Sequence, residues 1–135
     1  RKQREMSMGR MMDAVAEADV VITNPEHFSV ALTYDPSADA APTVVAKGID
    51  LIAFGIREKA QESSIPLFVS PVLARALYFT TEINEPVPES LYYAVAQVIA
   101  YVFSLNTFQE GGSGIQKPNP DVPQELRFNS NGEPE

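Results

Sequence analysis

The spacing of apolar residues changes several times along this chain, and each change marks an element. Met8, Met11, Met12 and Val15 recur at i, i+3, i+4 and i+7, the signature of one helix face, with Asp13 and Glu17 off that face. Residues 19–23 are continuously apolar apart from their ends, as in a strand covered on both sides. From Phe28 to Tyr34 large and small side chains alternate, placing Phe28, Val30, Leu32 and Tyr34 on one face of a second strand. Residues 35–42 hold two prolines among small and polar residues and read as a loop. A third strand spans 43–47, and Gly48 is expected to break it. The next helix has Asp50 as N-cap or first-turn acid and Ile49, Ile52, Ala53 and Ile56 as its buried face. It should end near Ser63-Ser64, ahead of Ile65-Pro66. Residues 67–69 form a short fourth strand. Pro71 can open a helix over 72–79, and residues 83–88 form a loop with two prolines. The final helix, 89–105, is apolar nearly all round and should lie against the sheet.

The order α-β-β-β-α-β-α-α predicts an α/β fold: a compact single domain with a four-stranded mixed β-sheet surrounded by about four helices. After Asn106 the pattern stops. Gly111-Gly112-Ser113-Gly114 has linker composition, and residues 115–135 combine four prolines with excess acid. The expected organisation is an N-terminal linker helix over 1–18, the α/β domain over 19–105 and a disordered, flexible C-terminal tail over 106–135.

At 135 residues with 44% apolar content, the chain can build one real core. Without cysteine it has no disulfide or thiolate metal site, and a single histidine excludes a histidine-rich one. No cofactor motif is present. The net charge of -8 is uneven: residues 1–10 carry +3 and residues 106–135 carry -3. An acidic body argues against nucleic acid as a partner. The basic N-terminus fits a segment emerging beside an anionic membrane surface, or simply a solvated helix start. The longest apolar stretch, from Leu91 to Val102, falls short of the roughly 20 residues needed to cross a bilayer.

The candidate chemistry lies in Asn24-Pro25-Glu26-His27, a turn between the first two strands that carries the only histidine. Asparagine normally cyclises when the following backbone nitrogen attacks its side-chain carbonyl, which deamidates without cutting. Pro25 has no N–H, so that route is closed. The remaining route is attack by the Asn24 side-chain nitrogen on the Asn24 main-chain carbonyl, which yields a C-terminal succinimide and releases Pro25 as a new N-terminus. Holding the reactants in a near-attack pose can supply up to about 7–11 kcal/mol, and backbone N–H groups facing the oxyanion roughly 3–4 kcal/mol. Proton transfer to the leaving nitrogen adds on the order of 10²–10⁴-fold. In a four-residue turn the first and fourth Cα atoms lie within about 7 Å, so the His27 imidazole can reach the bond. The catalytic candidates are Asn24, Pro25 and His27. Asn-Pro is also a common turn starter, so a purely structural turn stays open. Asn119-Pro120 supplies an internal control, the same bond without flanking strands.

Thr23-Asn24-Pro25-Glu26-His27 with its alternating strand resembles the cleavage motif of the FlhB/YscU export-switch family. The resemblance continues through Val44-Val45-Ala46-Lys47-Gly48, Ile56-Arg57-Glu58, Leu73-Ala74-Arg75-Ala76-Leu77-Tyr78 and residues 94–102. It covers about residues 10–105 and is nearest the flagellar branch. Glu26 departs from it, standing where the family usually has threonine. The resemblance implies the cytoplasmic C-terminal domain of a membrane-embedded export-gate protein, at the cytoplasmic face of the bacterial inner membrane. It implies self-cleavage between Asn24 and Pro25, with the two pieces staying associated, and a switch of export from rod and hook proteins to filament proteins. Its implied partners are other export-gate proteins, a hook-length ruler protein and export substrates. The alternative is a protein-binding module that docks the same partners and is never cut. Arg75 is expected to pair with an acid and fix packing, or to belong to a docking surface.

Overall fold

A computed structural model of the chain describes residues 7–25, 27–38, 40–107 and 116–135, with the side chains of 36, 106 and 107 excepted. Its elements are helix α1 (Met8–Val15), strands β1 (Val20–Asn24), β2 (Phe28–Thr33) and β3 (Thr43–Ile49), helix α2 (Asp50–Glu62), strand β4 (Leu67–Val69), and helices α3 (Pro71–Thr80) and α4 (Tyr92–Thr107). The four strands form one sheet in the order β3-β2-β1-β4. β1 pairs antiparallel with β2 and parallel with β4, and β2 pairs antiparallel with β3. The sheet is therefore mixed, as the sequence pattern predicts.

β1 occupies the middle of the sheet, and all five of its residues are buried. Its side chains alternate between two cores. Val20 and Ile22 join Phe28, Val30, Leu32, Val44 and Phe68 on the face covered by α3 and α4. Val21 joins Ala31 and Ala46 on the face covered by α1 and α2, which contribute Met11, Val15, Ile56 and Ala60. Alanines on that second face let α2 approach the strands closely. A register shift between β2 and β3 at Ala31/Leu32 puts Val44 and Ala46 on opposite faces although they are two residues apart, as a β-bulge does.

Four local expectations change. Gly48 does not end β3: it pairs with Ser29, and β3 continues to Ile49. A β-carbon at Gly48 would collide with the Ile52 side chain, so the glycine is there to let the start of α2 fold back over its own strand. The inward face of α2 is Ala53, Ile56 and Ala60, whereas Ile49 and Ile52 are exposed. α4 shares the α3-side core through Ala94, Val95, Val98, Ile99 and Val102, but Tyr93 and Leu105 face outward. Of the methionine stripe, Met11 is buried and Met8 is exposed.

Residues 116–135, expected to be part of a disordered tail, pack against the domain. Val122 is buried in the α3-side core, with Leu126 partly buried beside it. Phe128 meets the Phe79 ring at 5.6 Å between centroids, and a bridge between Phe128 and Pro134 closes a small hairpin. The fastening residue is Arg75, whose Nε–H donates to the Phe128 carbonyl at 2.6 Å while Nη2 lies 3.5 Å from Glu135. Arg75 thus pairs with an acid and fixes packing, the first of its two expected roles. The glycine-rich run 111–114 and the basic residues 1–6 lie outside the described residues.

Candidate functional site

Asn24 is the last residue of β1, and Thr23 and Asn24 are both buried. Asn24 faces Phe28 in the β1–β2 ladder, so the two strands form a tight hairpin. On the other side the Thr23 carbonyl accepts the Ser70 N–H at 2.9 Å, and Thr23 aligns with Val69 on β4. The chain is thus held by strands on both sides up to the Asn24–Pro25 bond. The turn is closed by the His27 N–H, which donates to the Asn24 carbonyl oxygen at 2.9 Å. That oxygen belongs to the carbonyl a cyclising Asn24 would attack, so one backbone donor already faces the atom where negative charge would develop. Glu26 lies outside the described residues.

The His27 imidazole is more than half exposed, with Nδ1 3.4 Å from Oδ1 of Asp50. Asp50 was singled out only as a helix-start acid. Its place follows from pairing: Phe28 opposes Ile49, so the residue after β3 falls beside the residue before β2. The Asp50 N–H donates to the His27 carbonyl at 2.9 Å. Asp50 also has φ of 51°, in the left-handed region that Asp tolerates better than most residues. The signal that could have found it was an antiparallel pairing of the second and third strands, which puts the residue after the third beside the histidine that precedes the second.

The structure thus brings Asn24, Pro25 and His27 into one hairpin and adds Asp50. The site combines a buried, strand-anchored asparagine, a following proline without N–H, a backbone donor on the Asn24 carbonyl and an exposed imidazole, the groups that asparagine cyclisation would use. Among the described residues no cluster of three or more metal-ligating side chains occurs, and no helix is long and apolar enough to cross a membrane.

The model of the FlhB HrpN YscU SpaS family matches residues 1–102. The chain belongs to this family. Flagellar biosynthetic protein FlhB of Salmonella typhimurium is 47% identical over 129 residues, covering 93% of this chain and 33% of the relative. FlhB of Aquifex aeolicus is 50% identical over 101 residues, covering 75% of this chain and 29% of its own length. The chain therefore spans about a third of the length of these relatives. Among solved structures, the cytoplasmic domain of FlhB from Shewanella putrefaciens superposes with a TM-score of 0.83 at 46% identity, covering 90% of this chain and 96% of that one. A mutated EscU C-terminal domain gives 0.64 at 27% identity, covering 67% and 91%. The higher identity to flagellar members bears out the flagellar branch, and the shared fold is that of the FlhB cytoplasmic domain.

Proposed function

We propose that this domain cuts itself once, between Asn24 and Pro25, by asparagine cyclisation. In the whole membrane-embedded protein, the cut would switch flagellar export from rod and hook proteins to filament proteins. The observation that carries the reading is the 2.9 Å hydrogen bond from the His27 N–H to the carbonyl of a buried, strand-anchored Asn24 whose next residue is proline. Asn24 Nδ2 forms a bond to its own main-chain carbonyl carbon and the bond to Pro25 breaks. One proton leaves Nδ2 and one reaches the Pro25 nitrogen. No water enters this step; water later opens the ring. His27 carries the proton, since an imidazole nitrogen can both accept and donate one.

Both pieces would stay together, because α1 and β1 belong to one fragment while β2 and β4 belong to the other. The nick would free Pro25 and the loop after it to move relative to Asn24, changing the surface that export-gate proteins, a ruler protein and export substrates meet. A groove of about 490 Å³ lined by Tyr34, Ala41, Pro42, Tyr92, Tyr93 and Ala96 favours a second reading, docking of such partners independent of cleavage. Intact mass of the purified chain with and without Asn24→Ala separates the two: self-cleavage requires two fragments from the first and one chain from the second.

A further inference from the structure

We infer that Asp50 is the positioning residue for His27 in this self-cleavage; the inference rests on the cleavage reading above. Two contacts and one backbone conformation converge on the pair. Asp50 Oδ1 lies 3.4 Å from His27 Nδ1. The Asp50 N–H holds the His27 carbonyl at 2.9 Å, so backbone and side chain of one residue grip the other. Asp50 adopts φ of 51° at the first position of α2, a conformation that costs free energy for a residue with a side chain and persists only where surrounding structure imposes it.

A carboxylate at Nδ1 selects the imidazole tautomer that carries its hydrogen there, leaving Nε2 with its lone pair. Nε2 can then accept a proton from Asn24 Nδ2 and deliver one to the Pro25 nitrogen as that bond breaks. Both side chains are more than half exposed, 58% for His27 and 67% for Asp50. The contact therefore sets ring orientation at modest strength, and its loss slows the reaction about three- to fivefold rather than abolishing it. A glycine at this position could adopt the same φ and keep the backbone hydrogen bond without offering a carboxylate. Asp50→Gly therefore separates the acid from the turn.

The test follows the full 135-residue chain after a short pulse of cell-free synthesis, measuring the uncut fraction over time by denaturing separation and intact mass. Asp50→Asn and Asp50→Gly should each slow cleavage about three- to fivefold, with Asp50→Glu restoring the rate to within about twofold. In a His27→Ala background, Asp50→Asn should change the rate less than about twofold, because its route of action is gone. Asp50 variants that cut at the wild-type rate would overturn the inference while leaving the cleavage reading intact. So would equal slowing with and without His27, which assigns Asp50 to the fold alone. A wild-type chain that never cuts removes the cleavage reading and this inference with it.

Discussion

Replacing Ile22 with alanine tests whether β1 is the element that keeps a nicked domain whole. Ile22 is fully buried in the middle of the central strand, aligned with Val30 on β2 and Phe68 on β4. The substitution removes three carbons, a transfer loss of about 2.4 kcal/mol at about 0.8 per carbon. A residual cavity between two paired neighbours raises the cost to about 3–4 kcal/mol, inside the range of about 2–5 for isoleucine to alanine. In the uncut Asn24→Ala background, urea unfolding followed by circular dichroism should show the midpoint falling by about 1.5–2 M for a slope near 2 kcal/mol/M. In the cut protein the same loss acts on association between fragments 1–24 and 25–135, weakening it roughly 150- to 1000-fold. Size-exclusion chromatography over a dilution series under native conditions reads that change. A stability loss below about 1 kcal/mol would mean that β1 is not packed as described, and an unchanged dilution profile would mean that something other than the sheet holds the fragments together.

Two further substitutions probe features invisible to periodicity. Gly48→Ala should destabilise by about 1–3 kcal/mol in thermal or urea unfolding, because its β-carbon meets Ile52 where the first turn of α2 folds back on β3. Val122→Ala should cost about 1.5–2.5 kcal/mol by the same assays, since Val122 is 2% exposed within the α3-side core. No measurable effect at Val122 would show that residues 116–135 do not pack on the domain.

The elements that read correctly from sequence are those whose cause is local. β2 declares itself by alternation because one face carries Phe28, Val30 and Leu32 into a core. β4 is bounded by Pro66 and Pro71, and the hairpin is announced by Asn24-Pro25 between two apolar runs. What the sequence concealed depends on partners distant along the chain. Asp50 reaches His27 only through the β2–β3 register, fixed by pairing across the sheet. The C-terminal segment looked unable to order itself because Val122, Leu126 and Phe128 follow no period among prolines and acids. Its anchor is Arg75 donating to a backbone carbonyl, a contact that imposes no residue type on the receiving side. Gly48 resembled a strand breaker, whereas its real constraint is the close return of α2.

The most direct test of self-cleavage is the intact mass of freshly purified wild-type chain under denaturing conditions, beside Asn24→Ala. The account predicts two wild-type fragments, 1–24 and 25–135, whose masses sum to that of the whole chain, or to one water more once the succinimide opens. They should co-elute as one folded species before denaturation, with Asn119–Pro120 uncut and the variant a single chain. A wild-type domain that is folded, monodisperse and still one unbroken polypeptide after long incubation at neutral pH would contradict it.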